Sequence, residues 1–255
     1  MTRLFTTGLE SGNIDVFTAN VGCAISAVQK RTGAYSVYVA GVTNYVTKSL
    51  LADKVTLYIR FGFWGNGGGG TLGDLPLLYL LDNAGSAQVA LYYHRTTGLI
   101  KVWNGSAVLG TSINAFAQDM WHCVEWYIKI GNAVGETTVK VNGVTEIGPL
   151  LNQDTQGSGI ASARTLRFGT SSTTQANSFY IDDIAVNDDA GAVNNSWIGR
   201  GGIYGVFPEG VGTYTDLHAQ GHANAWDCIS EVPPDDADYV YDDTVDQKSV
   251  YAMTA

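Results

Sequence analysis

The stretch Lys54–Phe63 alternates without a break, with Val55, Leu57, Ile59, Phe61 and Phe63 on one side and Thr56, Tyr58 and Arg60 on the other. A strict period of two marks a β-strand with one face in a core. Tyr35–Ala40 repeats the pattern, placing Val37 and Val39 together. Trp121–Ile130 does so again, with His122, Val124, Trp126, Ile128 and Ile130 on one face and Trp121, Cys123, Glu125, Tyr127 and Lys129 on the other. Leu75–Leu81 is apolar on both faces, which requires cover on both sides. Ala87–His94, Leu99–Trp103, Thr137–Val141 and Leu166–Phe168 continue the series, and residues 5–17 read as two short strands about a polar glycine turn.

Turn signals separate these runs at Asp82-Asn83, Thr97-Gly98, Asn104-Gly105 and Asn142-Gly143. The two Asn-Gly pairs predict two-residue hairpins, because both central positions of such a turn need positive φ. Gly65–Gly73 carries too many glycines for regular structure and reads as a mobile loop. It is no phosphate loop, since no Lys-Ser/Thr or helix pattern follows. Roughly a dozen strands without one amphipathic helix predict an all-β fold, a two-sheet antiparallel sandwich.

Charge divides the chain in two. Residues 1–186 hold 12 acidic and 12 basic residues, whereas residues 187–255 hold 12 acids against Arg200 and Lys248, so the whole net charge of −10 lies in the second part. This excludes nucleic acid as the expected partner and favours a basic protein surface, a cation or solvent. Cys23, Cys123 and Cys228 are odd in number and far apart, which argues against a disulfide framework or a zinc site and for synthesis in a reducing compartment, the cytoplasm. The N-terminus lacks a signal-peptide pattern, and no apolar run is long enough to insert in a membrane.

The pieces L-F-T-T-G-L-E-S-G-N-I, V-T-L-Y-I-R-F-G-F-W, L-L-Y-L-L-D-N-A-G, W-H-C-V-E-W-Y-I and F-Y-I-D-D-I-A-V, in this order over residues 4–186, resemble the concanavalin A-like (laminin G-like) jelly roll. The expected organisation is a jelly-roll sandwich over 1–186 followed by an extended acidic C-terminal arm over 187–255. In such domains an early and a late acidic residue often share a structural calcium. The resemblance therefore implies Glu10, Asp182 and Asp183 as metal ligands, and no other cofactor. Two adjacent buried carboxylates repel and need a cation or hydrogen-bond donors, so the alternative is that Asp182 and Asp183 accept from backbone amides.

A longer match runs through the arm. Phe179–Asp188, Asn194–Trp197, Val206–Pro208, Trp226–Asp227 and Glu231–Val240 resemble a group of tailed-bacteriophage virion proteins. That resemblance implies a homo-oligomeric structural or accessory component on the capsid or tail, made in the host cytoplasm and located at the virion surface. An outward head would be anchored to other virion proteins through the arm. The aromatics Trp197, Tyr204, Phe207, Trp226, Tyr239 and Tyr241 need a surface to bury on, either the sandwich or another chain, and are the expected docking residues. A strand is expected at Ile203–Phe207.

Residue types suited to a saccharide are Tyr58, Arg60, Tyr92, His94, Trp103, Trp121, Glu125 and Tyr127, where rings stack on sugars and polar groups bond hydroxyls, here on a host-surface glycan. Glycoside hydrolases on this fold use paired carboxylates, and Trp121–Ile130 offers only Glu125. Lyases on related sandwiches use a Tyr/His pair with Arg or Gln, a role open to Tyr92, Tyr93, His94 and Arg95. The expectation is a non-enzymatic protein. The competing reading is a carbohydrate-active lyase, hydrolase or lectin on the same sandwich.

Overall fold

A computed structural model describes residues 3–67, 73–173, 176–230, 239–241 and 249–254. The sandwich strands are β1 (Arg3–Thr7), β2 (Ala19–Val21), β3 (Ala24–Ser26), β4 (Ser36–Val42), β5 (Tyr45–Lys54), β6 (Thr56–Gly65), β7 (Asp74–Leu81) and β8 (Ala87–His94). They continue with β9 (Leu99–Trp103), β10 (Val108–Thr111), β11 (Trp121–Lys129), β12 (Gly135–Val141), β13 (Val144–Gln153), β14 (Ala163–Gly169) and β15 (Ala176–Asn187). The first sheet runs β13-β12-β11-β6-β15-β4-β3, with β1 also paired to β15, and the second runs β10-β9-β8-β7-β14-β5-β2. All of these pairings are antiparallel.

The core lies between the two sheets, where the alternating residues meet. Leu57, Ile59, Phe61 and Phe63 of β6 and Val124, Trp126 and Ile128 of β11 face Leu75, Leu77, Leu91, Val102 and Phe168 of the second sheet in one buried cluster. Phe61 and Phe168 join the layers edge to face at 5.4 Å. Trp126 is fully buried, and its indole N–H finds Thr137 Oγ1 at 2.9 Å, so no polar atom is stranded by that burial. Cys23, Cys123 and Cys228 are all unpaired and buried.

Several expected boundaries move. Val55 is 49 % exposed instead of inward, because Lys54 and Val55 carry the chain from β5 in the second sheet to β6 in the first. Asn142 and Gly143 form the expected two-residue hairpin, with φ of 53° and 86°. At Asn104-Gly105 only Gly105 has positive φ. The Asn104 side chain instead accepts from the amides of Ser106 and Ala107, building a longer connection from β9 to β10. After β1 the chain passes through turns to Phe17, and the second strand expected within 5–17 forms only at Ala19. Gly65 closes β6, and residues 68–72 of the glycine loop lie outside the described residues.

Beyond the sandwich come β16 (Phe207–Thr215) and β19 (Ser249–Thr254), paired antiparallel, and β17 (His218–Gln220) with β18 (Tyr239–Tyr241). The strand expected at Ile203–Phe207 thus begins where that span ends. No helix among the described residues is long and apolar enough to cross a membrane.

Phe61→Ala leaves a cavity at the contact between sheets and is expected to cost about 3–5 kcal/mol, read as a lower urea midpoint at unchanged slope. A loss below about 1 kcal/mol would show that the sheets are not held there.

Candidate functional site

The two sheets each turn one face outward, and the residues nominated for a saccharide divide between them. Tyr58, Arg60, Trp121, Glu125 and Tyr127 lie on the first sheet, and Tyr92, His94 and Trp103 on the second. They do not form one surface. What separates their fates is the strand β15.

Opposite β6 the register of β15 slips between Asp182 and Ala185, and Asp183 takes the left-handed conformation at φ 51°. This is a β-bulge. Ile181 and Ile184 both remain in the core, so the two carboxylates between them point outward together, each fully buried. Aspartate tolerates the left-handed region better than most residues, which suits it to the bulge position. Gly62, across from Asp182, has no side chain. A Cβ there would lie 2.7 Å from Arg31 Cδ, so the glycine leaves the space that Arg31 fills.

Arg31 ion-pairs with Asp183 Oδ2 at 2.5 Å, and the Thr32 hydroxyl donates to Asp183 Oδ1 at 2.6 Å. Asp182 accepts the backbone N–H groups of Arg31 (2.8 Å) and Asp183 (2.6 Å). Arg31 and Thr32 were not singled out in the sequence. The small residue between Phe61 and Phe63 was the available signal that something long crosses there.

The segment after β15 folds back onto this face. Gly199 N–H donates to Glu125 Oε1 at 2.7 Å, and Ile203 N–H to Asp183 Oδ1 at 2.6 Å. Arg31 Nη2 donates to the Arg200 carbonyl (2.8 Å), and Arg60 Nη1 to the Gly199 carbonyl (3.3 Å). Trp197 packs against Tyr58 at 5.7 Å and Tyr127 at 6.4 Å, and the Lys140 ammonium sits 3.8 Å over its ring. Arg60 and Glu125 are consequently only 4 % exposed each. Of the two surfaces open to Trp197, the sandwich or another chain, it packs on the sandwich. Of the other arm aromatics, Tyr204, Tyr239 and Tyr241 are exposed, Phe207 and Trp226 half-buried.

The three expected calcium ligands do not fit a cation. All four oxygens of Asp182 and Asp183 accept from N–H or O–H donors, and the compensating charge is the Arg31 guanidinium. Glu10 gives Oε2 to the Ala34 amide at 2.7 Å, and its Oε1 is buried without a partner. Among the described residues, no group of three or more His, Cys, Asp or Glu side chains is arranged for a metal.

The outer face of the second sheet is different. Across it Trp103 of β9 aligns with Ala90 of β8, Ala90 with Tyr79 of β7, Tyr79 with Arg167 of β14, and Arg167 with Thr47 of β5. Ala90, the smallest of the row, is buried beneath these neighbours. In the next row Tyr92 aligns with Lys101. Tyr79, Leu81, Ala90 and Tyr92 form an apolar cluster distinct from the core, with Trp103 packed on it. The two tyrosine hydroxyls bond each other at 2.7 Å, and Trp103 stands edge-on to Tyr92 at 5.8 Å. Burial, and then the Tyr79 contact, push the Tyr92 hydroxyl well above its ordinary pKa. Asp74, Tyr92, Lys101, Trp103 and Val108 line a cavity of about 240 Å³. His94 lies at the end of β8 and holds Thr97 through its Nδ1.

No protein-family model matches the chain, and no curated protein does. Among solved structures, the cellulose-induced protein Cip1 aligns at 15 % identity over 77 % of this chain and 100 % of its own, with a TM-score of 0.55. The chain is a two-sheet antiparallel β-sandwich of the jelly-roll kind. The Trypanosoma rangeli sialidase aligns at 9 % identity and TM-score 0.46, over 65 % of this chain and 27 % of its own, so this chain spans about a quarter of that enzyme. The alginate lyase Aly36B aligns at 12 % and 0.44, over 74 % of this chain and 93 % of its own. The expectation of a non-enzymatic protein is corrected: what the alignment with Cip1 shows is the sandwich, and the fold gives no ground for setting catalysis aside.

Arg31→Ala leaves the Asp183 carboxylate buried without its cation and is expected to destabilise the chain by about 3–5 kcal/mol in chemical denaturation. A loss under about 1 kcal/mol would mean Asp183 needs no counter-charge. Burial and the adjacent Asp183 charge raise Asp182 to about 7. The folded chain therefore keeps a proton that the unfolded chain releases near about 4. Stability from this group is full below about pH 4 and is lost as pH rises to about 7. Melting temperature is expected to fall over that interval, and to fall less in Asp182→Asn. An identical slope in the variant would contradict the assignment.

Proposed function

We propose that this chain is a carbohydrate-active β-sandwich that binds a saccharide chain across the outer face of its second sheet, along Trp103, Tyr92 and Tyr79. The observation that carries this reading is the cavity beside that aromatic cluster. Trp103 stays half-buried there, with Lys101 and Asp74 on the same lining, and offers a ring and hydrogen-bond partners of the kind sugars use. Neighbouring strands lie about 4.8 Å apart, so Trp103 to Arg167 spans roughly 14 Å, long enough for an extended oligosaccharide.

On the first sheet, Tyr58, Arg60, Glu125 and Tyr127 are occupied by residues 197–203 of the chain itself. Trp121, Trp64, Tyr180 and Tyr38 stay half-buried on that sheet, and they are the alternative row that the test must separate. The group types of the second sheet are those of sugar recognition and elimination, namely phenol, imidazole and guanidinium. Hydrolysis takes two carboxylates flanking one bond, and Asp74 is held by Lys101 at 3.0 Å.

The test is a glycan screen of the full chain, followed by titration calorimetry and an assay for cleaved products with any saccharide bound. Trp103→Ala is expected to weaken binding by at least about tenfold, or about 1.4 kcal/mol, while Trp121→Ala leaves it within about twofold. Binding that survives Trp103→Ala and is lost on Trp121→Ala would move the site to the first sheet and overturn the proposal.

A further inference from the structure

Arg167 stands at the end of the aromatic row, its guanidinium held between rings. Its guanidinium carbon lies 4.5 Å from the Tyr79 ring centroid and 5.7 Å from that of Tyr45, so rings from both flanking strands hold it. Among the described residues it makes no ion pair. Arg31, Lys54, Lys101, Lys129 and Arg164 each have an acidic partner, at Asp183, Asp188, Asp74, Glu136 and Asp53 respectively. Arg167 Nε is buried with no hydrogen-bond partner. An unsatisfied buried donor costs about 1–3 kcal/mol, and such an exception in a native protein calls for an explanation, a water, an ion or a catalytic role among them. Stacking fixes the plane of the guanidinium without using its N–H groups, which leaves the planar fork that matches an oxyanion bidentately.

We infer that the saccharide bound on this face is anionic, and that Arg167 receives its carboxylate or sulfate group. The inference rests on the saccharide-binding reading above and adds the substrate class to it. Lys101, the other cation of the face, is neutralised by Asp74, so Arg167 alone among the described groups there offers an uncompensated positive charge.

The experiment compares three oligosaccharide sets of equal length with the full chain, namely a polyuronate, its methyl ester, and a sulfated neutral glycan, by calorimetry at two salt concentrations. The wild type is expected to bind an anionic set at least about tenfold tighter than the ester, with the preference shrinking as salt rises. Whether uronate or sulfate gains more identifies the oxyanion. Arg167→Gln is expected to bring the ratio close to one while neutral binding persists, and Arg167→Lys to keep part of the preference. A purely structural role for Arg167 would lower the melting temperature and leave the ratio unchanged, which overturns the inference. Equal affinity of the wild type for acid and ester, with binding still dependent on Trp103, also overturns it while leaving the saccharide reading intact. No binding to any set overturns both. Should Arg167→Gln fail to fold, the ester comparison in wild type and the lysine variant decide.

Discussion

Two carboxylates that should repel each other organise one whole side of this molecule. Asp182 and Asp183 are turned to the same face by the bulge in β15, and neither reaches solvent. Buried charge is tolerated only when paired and hydrogen-bonded. Arg31, the Thr32 hydroxyl and a set of backbone amides meet that demand, and one of those amides, Ile203 N–H, belongs to the segment that follows the sandwich. The electrostatic need of the strand is thus met partly by the chain that leaves it. Glu125 repeats the arrangement on β11 by accepting from Gly199.

This constraint gives the two sheets different roles. Backbone groups of residues 199–203 are bound by Arg31, Arg60, Glu125 and Asp183, and Trp197 fills the surface of Tyr58 and Tyr127. Side chains that look like a sugar platform in the sequence serve here to seat the chain's own return. On the second sheet Tyr79 and Tyr92 are buried among their neighbours, and Trp103 stays half-buried at the edge. Its outer cluster keeps a cavity, a paired lysine and an arginine held only by rings.

Much of the sandwich is legible in the sequence because period two reports burial directly. The inward sets of β6 and β11 match the alternation of Leu57 to Phe63 and of His122 to Ile128. Asn142-Gly143 is equally legible, since the turn depends only on two local φ values. What alternation cannot convey is which sheet a strand joins, and that is why the nominated saccharide residues fall on opposite sides of the molecule. Val55 fails for the same reason, as the change of sheet at β5–β6 leaves no local mark. Arg31, Thr32 and Arg167 went unnoticed because their roles come from partners more than a hundred residues away or in adjacent strands. The phage resemblance expected over residues 179–240 has no support in the comparisons. The structure adds that its N-N-S-W element, residues 194–197, ends in a tryptophan packed against the head.

Amide hydrogen exchange of the full chain, with and without the tightest saccharide from the screen, tests the assignment of the two faces most directly. The account predicts that Gly199 and Ile203 are protected in the unliganded protein, and that ligand adds protection in β7, β8, β9 and β14 alone. Rapid exchange at Gly199 and Ile203, with new protection appearing in β6 and β11, would show that the first sheet is the open face and would contradict it.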